Sequence, residues 1–547
     1  MKFKVRKIFI IILFFNLFAC DTTKNTGKSS ENTLSVEEIS EPVSAYGNVR
    51  STKKHFSKEK LSYDISQPDI INPDFNTEEY DKIRENEFLS VNQNPLSTFS
   101  IDVDNASYSN VRRFLNYGQM PDKGAVRIEE MINYFDYDYL NPEGKYPFSI
   151  NTEIGTCPWN TKHKLVHIGI QGKKLDYENL KPSNLVFLLD VSGSMSDQNK
   201  LPLLKKSLKL LLNQLSQNDK ISVVVYAGAA GMVLPPTNAS EKEKIFIALD
   251  KLQAGGSTAG GAGIKLAYKT AKEAFIKGGN NRVILATDGD FNVGTSSTSS
   301  LVDLIEEKRK DDIYLTILGF GMGNYKDGRM EQISNAGNGN YFYIDNIKEA
   351  DKVFVKEMRA NMFTIAKDVK IQIEFNPAQV KAYRLIGYEN RMLKKEDFND
   401  DKKDAGELGA GHTVTALYEI VPANSKEKIG RKADNLKYQN TKVTDYAGST
   451  NEIMTVKFRY KPIDSDKSIL IEYPLNNSDT ELANTSDNFR FSAAVAEFGM
   501  LLRDSKFKEN ATYKKVIKLA ESSKGKDENG YRSEFIEMVK TAELLSK

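Results

Sequence analysis

The stretch L-V-F-L-L-D-V-S-G-S, residues 185–194, joins a continuous apolar run to a carboxylate and two hydroxyl groups. Five successive apolar residues are typical of a strand that is buried on both faces, as in a parallel sheet covered by helices. Similar runs recur at residues 223–226, 283–286 and 314–318, and amphipathic helical patterns lie between them. Strands that alternate with helices predict a doubly wound α/β domain with a mostly parallel sheet.

Three polar loops belong to this predicted domain. The first carries Asp190, Ser192 and Ser194, the second is a Gly-rich loop with Thr258, and the third carries Asp288. Ligands of open α/β sheets bind at the carboxyl ends of the strands, so we expect the three loops to open on the same rim. Taken singly, each residue could merely cap a helix or form a turn. Their combination favours a binding site.

The D-x-S-x-S motif, the Thr in a Gly-rich loop and the later T-D-G resemble a von Willebrand factor type A domain with its metal-ion-dependent adhesion site. The resemblance implies one bound Mg²⁺ or Mn²⁺ ion. It implies direct ligation by Ser192 and Ser194, and ligation by Thr258 directly or through water. Asp190 and Asp288 would act largely through waters or hydrogen bonds. Mg²⁺ prefers oxygen ligands and keeps several waters, so an open position would accept a carboxylate from a partner protein.

Segments on both sides extend the resemblance. Residues 94–108, 127–137 and 157–160, and later 491–503, resemble the flanking regions of a family of bacterial von Willebrand factor type A lipoproteins. In related architectures the α/β domain is inserted into a β-sandwich, and the strands predicted on either side permit this arrangement. From Val369 to Phe375 apolar and polar residues alternate, which predicts an antiparallel sheet with one solvated face.

The first twenty residues have the pattern of a membrane-targeting signal. Basic residues precede an apolar run from Ile8 to Phe15, as in a secretory signal. The run is shorter than the roughly 20 residues that span a bilayer, and no transmembrane helix is predicted. The following L-F-A-C resembles the lipobox of bacterial lipoproteins, which implies acylation of Cys20; an ordinary signal with a chance cysteine is the alternative. We therefore expect a lipid anchor in the cell membrane or outer membrane, with the body in the periplasm or on the cell surface.

These patterns together divide the chain into segments. They are a lipoprotein signal peptide (1–19), a flexible tether (20–93), a mixed α/β flanking domain (94–180), the von Willebrand factor type A domain (181–360), a β-rich C-terminal domain (361–480) and a C-terminal helical segment (481–547). The tether is predicted because residues 21–33 have almost no apolar content and cannot bury enough surface to offset the entropy of ordering.

Composition excludes several other classes of protein. Lys and Arg number 76 and Asp and Glu 74, a balance that argues against a nucleic-acid binder. The cysteines are Cys20 and Cys157, so a disulfide framework is excluded, and we expect Cys157 to be an inert buried side chain. Asp102 and Asp104 could suggest paired acids, but Asp104 precedes a predicted helix and is interpreted as its cap.

We therefore expect a membrane-anchored lipoprotein that binds a protein partner, which supplies an acidic side chain, through a divalent metal ion. The alternative is a metal-independent structural module of the cell envelope. A third hypothesis, a metal-dependent hydrolase, requires a general base, for which Asp197 and Asp290 are the nearby acids in the sequence. No Ser–His–Asp or Cys–His grouping can be argued from the sequence, and we expect no enzymatic activity.

Overall fold

The computed structural model of the chain describes residues 77–176, 180–256, 260–289, 291, 298–429 and 442–547. The predicted signal peptide, Cys20, Thr258 and Asp290 lie outside the described residues. Among the described helices, none combines the length and the apolar character that crossing a bilayer requires.

The helices and strands follow one another in three groups along the chain. The first group contains β1 (Leu89–Ser90), β2 (Leu96–Ser100), α1 (Ala106–Asn116), α2 (Ile128–Asn133), β3 (Phe148–Thr156) and β4 (Lys164–Gly172). The central group contains β5 (Ser183–Asp190), α3 (Leu201–Gln214), β6 (Lys220–Tyr226), β7 (Ala230–Asn238), α4 (Lys242–Asp250), α5 (Gly260–Glu273), β8 (Asn280–Thr287), α6 (Thr298–Arg309), β9 (Ile313–Phe320), α7 (Asp327–Ala336), β10 (Tyr341–Ile344), α8 (Ile347–Asp351) and α9 (Met358–Met362). The last group contains β11 (Thr364–Phe375), β12 (Val380–Ile386), β13 (Gly406–Gly409), β14 (Thr413–Pro422), α10 (Asp445–Ser449), β15 (Glu452–Pro462), β16 (Ile469–Asn476), α11 (Asp487–Arg503), α12 (Tyr513–Ser522) and α13 (Tyr531–Leu545).

The central group builds the predicted α/β domain. Its strands lie in the order β10-β9-β8-β5-β6-β7, and every pair is parallel except β6 with β7. All residues of β5 are buried. Phe187 packs with residues of α3 and α4 on one face of the sheet, whereas Leu188 packs with residues of α5 and α6 on the other. The continuous apolar runs therefore arise because helices cover both faces, and the predicted doubly wound fold is confirmed.

The strands on either side of this domain share two antiparallel sheets. One sheet has the order β1-β12-β14-β4-β3, and the other has the order β13-β11-β15-β16 with β2 beside β11. Phe99, Val166, Ile371 and Val456 belong to one apolar core that both sheets contribute to. The chain thus leaves this β-sandwich after β4, builds the α/β domain and re-enters the sandwich at β11.

The expectation of one solvated face holds along β15, but Lys370 and Gln372 of β11 in the same sheet are buried. For the other sheet the expectation is wrong. Strand β16 is largely exposed, and β15 alternates between buried and less buried residues. Strand β14, however, is buried along nearly its whole length. Leu417 on β14 packs in a cluster with Phe489 and Phe491 of α11. The C-terminal helices therefore cover the outer face of this sheet, which a strand pattern alone does not reveal.

Arg112 on α1 links the sandwich, the α/β domain and the last helix. Its guanidinium nitrogens lie 2.5 Å from Asp345 and 2.6 Å from Glu349, which follow β10 in the chain. A third contact of 2.9 Å joins Arg112 to Glu534 of α13. The Arg112 side chain is only 2% exposed. One buried cation on α1 thus forms ion pairs with two other segments that are far from it in the sequence.

Candidate functional site

The carboxyl end of β5 continues into the first of the predicted rim loops. Asp190 is fully buried, and its Oδ1 accepts the backbone N–H of Ser192 at 2.9 Å. The hydroxyl oxygens of Ser192 and Ser194 lie 3.0 Å apart. A short 3₁₀ turn, Gly193–Ser196, then leads toward α3. The D-x-S-x-S motif therefore folds into a turn that holds two hydroxyl groups side by side next to a buried carboxylate.

The Gly-rich loop is bonded directly to this turn. The N–H of Gly193 donates to the carbonyl of Gly256 at 3.0 Å, and the N–H of Gly255 donates to the carbonyl of Val191 at 2.8 Å. Gly256 has a φ of +85°, a left-handed conformation that favours glycine. These bonds fix the second loop just before Thr258, which itself lies outside the described residues.

The third loop begins where β8 ends. Asp288 is fully buried, and the hydroxyl of the preceding Thr287 donates to Asp190 Oδ2 at 3.3 Å. The structure therefore brings four of the five predicted site residues to the same rim: Asp190, Ser192, Ser194 and Asp288.

Burial and a neighbouring negative charge both raise the pKa of Asp190. Burial is the largest influence that raises the pKa of this carboxyl above its ordinary value, and the nearby Asp288 charge raises it further. Hydrogen bonds from Ser192 and from the Tyr226 hydroxyl, which lies 3.1 Å from Oδ2, act in the opposite direction. Two carboxylates close together in a buried place repel each other, and a positive charge between or beside them relieves this repulsion.

Lys200 supplies one such charge, and sequence reasoning missed it. Its Nζ lies 3.0 Å from Asp288 Oδ2, and its side chain is only 6% exposed. A lysine six residues after Ser194, directly before an apolar helix, has the pattern of a solvated side chain. Its inward direction depends on Gly321, far along the chain, where a Cβ would overlap the Lys200 side chain.

The donor set at the rim fits a hard divalent cation. No hydrogen-bond donor among the described residues reaches Asp288 Oδ1, although this atom is buried. Buried polar atoms almost always have a partner, so this carboxylate oxygen is available to a cation or to another donor. The Lys200 ammonium pairs with Asp288, and the hydroxyl oxygens of Ser192 and Ser194 are the kind of ligand that Mg²⁺ accepts.

Comparisons with known proteins agree with this architecture. Residues 184–356 match the profile of the von Willebrand factor type A domain, residues 74–167 the profile described as von Willebrand factor, and residues 360–545 the C-terminal profile of the uncharacterized protein YfbK. The chain is 44% identical over 481 residues to the uncharacterized protein YfbK of Escherichia coli (strain K12), which covers 87% of this chain and 82% of that protein. The chain belongs to the YfbK family. Its α/β part is a von Willebrand factor type A domain.

Other relatives share smaller parts of this YfbK-family chain. Human inter-alpha-trypsin inhibitor heavy chain H4 is 30% identical over 26% of this chain and 16% of its own length. The magnesium-chelatase 67 kDa subunit of Chlorobaculum tepidum is 25% identical over 36% of each chain. Among solved structures, the von Willebrand factor type A protein from Catenulispora acidiphila has 16% identity and a TM-score of 0.37, and the match covers 72% of this chain and 90% of that chain.

A second group of buried acids lies where the β-sandwich of this YfbK-family chain meets α7. Ligand oxygens of Asp102, Glu130 and Glu331 lie within 4.8 Å of one another. Each of these oxygens, however, has a partner: Arg127 contacts Glu130 and Glu331, Arg391 contacts Asp102 and Glu331, and backbone N–H groups contact the remaining atoms. The group is therefore a network of ion pairs that holds the two parts together.

Asp104 belongs to the same network, and its interpretation as a helix cap is wrong. The residue at the N-cap of α1 is Asn105, and its side chain makes no capping hydrogen bond. Asp104 instead accepts the backbone N–H of Tyr341 at 2.8 Å and a guanidinium N–H of Arg391 at 3.1 Å. The N–H of Ser107 in the first turn of α1 donates instead to Glu130 Oε2 at 2.8 Å, so a carboxylate from α2 takes the place of a local cap.

This network predicts a pH-dependent stability. Burial and the neighbouring Asp102 charge raise the pKa of Asp104 from its ordinary value of 3.8 to about 8. Between these values the folded chain holds a proton that the unfolded chain has released, so the free energy of unfolding falls as the pH rises. We expect a lower thermal midpoint at about pH 8.5 than at about pH 6, and a weaker dependence in Asp104→Asn. A midpoint that stays constant or rises over this range would contradict the prediction.

Proposed function

We propose that the chain is a membrane-anchored lipoprotein that binds a protein partner through a divalent metal ion at the rim of its von Willebrand factor type A domain. One observation carries the proposal: Asp190, Ser192, Ser194 and Asp288 converge, and Asp288 Oδ1 has no donor among the described residues. The lipid anchor rests on the sequence around Cys20, because acyl chains on a cysteine attach a protein to a membrane.

Each side chain has a distinct part in this proposal. Ser192 and Ser194 would ligate the ion through neutral hydroxyl oxygens, together with Thr258 directly or through water. Asp190 and Asp288 would neutralise part of its charge, and the hydrogen bonds to Asp190 keep that carboxylate in place. When bound, Mg²⁺ or Mn²⁺ supplies an open position that attracts a carboxylate oxygen. Because neutral hydroxyl oxygens donate little charge, a negatively charged side chain of a partner is the ligand that suits this position.

The surroundings of the rim support binding better than catalysis. A hydrolase needs a base held in a fixed place beside the metal. Asp197, which the sequence offers for this role, is 67% exposed, and its Oδ2 lies 3.7 Å from Lys200 Nζ. A solvated carboxylate beside an ammonium is a poor general base, and Asp290, the other candidate, lies outside the described residues. On the described residues we favour a binding protein over an enzyme.

The proposal predicts a chelator-sensitive complex. The full chain, immobilised and mixed with an envelope extract, is expected to retain a protein in Mg²⁺ and to release it when EDTA is added. Ser192→Ala should lose this capture while its circular dichroism spectrum stays that of the unchanged chain, because the variant keeps the backbone N–H of residue 192 that bonds to Asp190. Capture that is equally strong in EDTA and in Ser192→Ala would favour a metal-independent scaffold instead.

A further inference from the structure

Lys200 brings to the rim a positive charge that the metal-site motif does not contain. Its ammonium lies 3.0 Å from Asp288 Oδ2, and its side chain is 6% exposed. The aliphatic stem crosses Gly321, which has a φ of +73° and no Cβ to obstruct it. A buried carboxylate pairs with the ammonium, and a glycine leaves room for the aliphatic stem. The fold therefore fixes the inward position of Lys200.

The charges at the rim show what this lysine changes. Among the described residues of the rim, Asp190 and Asp288 carry two negative charges and Lys200 one positive charge, so these three residues have a net charge of −1. A divalent cation would turn this value to +1, whereas the same loaded rim without Lys200 would be neutral. Asp197 is close to Lys200, but it is 67% exposed, so water and salt screen its charge.

We propose that Lys200 keeps the metal-loaded rim net positive and so makes it select an anionic, carboxylate-bearing ligand. The inference rests on the proposed metal-dependent function. Lys200 contacts Asp288, and its role is therefore to set the charge of the site and to position Asp288. Its ammonium lowers the affinity for the cation and raises the affinity of the loaded site for an anion. A purely structural lysine would change both affinities in the same direction.

The test uses the full chain and two simple probes. In Lys200→Met, which keeps the apolar stem, we expect the affinity for Mg²⁺ alone, measured by calorimetry, to rise about tenfold. We expect the affinity of the Mn²⁺-loaded chain for acetate, measured by broadening of the acetate methyl resonance, to fall about tenfold. Lys209→Met is the matched control. Lys209 lies on α3, the helix that Lys200 precedes, but it is 36% exposed and pairs with Asp250 at the surface. This variant should leave both affinities unchanged.

The outcomes separate this inference from the proposed function. If the unchanged chain binds no Mg²⁺, the metal-dependent function fails and the role of Lys200 fails with it. If it binds Mg²⁺ but Lys200→Met shifts neither affinity, or lowers both, only the role of Lys200 is overturned. If Lys200→Met does not fold, Lys200→Gln provides the same comparison. Loss of the fold in both variants would make Lys200 a folding residue and would also overturn the inference.

Discussion

Replacing Arg112 by Met is expected to lower the free energy of unfolding by about 3–5 kcal/mol, since removing one partner of a buried ion pair leaves the other charge uncompensated. Arg112 contacts Asp345, Glu349 and Glu534, and the side chains of the first two are 6% and 0% exposed. Methionine fills much of the same volume without neutralising either carboxylate. Urea unfolding of the full chain, followed by circular dichroism, measures the change.

A surface ion pair provides the control for this prediction. Lys123 and Asp504 also join distant segments, at 3.3 Å, but both are more than 60% exposed. Lys123→Met is therefore expected to change the free energy of unfolding by no more than about 1 kcal/mol. Burial already raises the pKa of Glu349, so the Arg112→Met defect should shrink as the pH is lowered and this carboxyl takes up a proton. Equal effects of the two variants would show that the Arg112 contacts contribute little.

The sequence predicted those parts of the fold that local patterns encode. The run 185–189 is apolar at every position because helices cover both faces of its sheet, and this property is visible in the residues themselves. The pairing of β4 with β14 is not visible in this way. Their residues are more than 240 positions apart, and neither strand has a sequence feature that identifies the other as its partner. The burial of β14 under α11 was missed for the same reason.

The candidate site shows the same difference between features that neighbouring residues encode and contacts that distant residues make. Asp190, Ser192 and Ser194 lie within five residues, so their convergence follows from one turn after one strand. Lys200 and Asp104 have patterns that predict a solvated side chain and a helix cap. Their actual partners are Asp288 and Tyr341, which lie 88 and 237 residues away. Single-sequence reasoning therefore finds the motif but misses the contacts that distant segments make.

Asp288→Ala is expected to weaken Mg²⁺ binding about 100-fold, the upper end of the losses seen when a group that supports a metal site is removed. Two physical effects add in this variant. The rim loses the buried oxygen that has no donor among the described residues, and the Lys200 ammonium, no longer paired 3.0 Å from a carboxylate, faces the cation. Calorimetry with Mg²⁺ and the full chain measures the loss. Asp197→Ala, which removes an acid that is 67% exposed in the segment between β5 and α3, should change the affinity less than about twofold.

The double variant Asp288→Ala/Lys200→Met distinguishes the two effects. It restores the net charge that the unchanged rim has, one negative, while the Asp288 oxygens stay absent. If repulsion by the unpaired ammonium causes part of the defect, the double variant should bind Mg²⁺ about tenfold more tightly than Asp288→Ala alone. If the two variants bind equally weakly, Asp288 acts only through its oxygens. An affinity of Asp288→Ala within a few-fold of that of the unchanged chain would instead place the metal, if one binds, away from this rim.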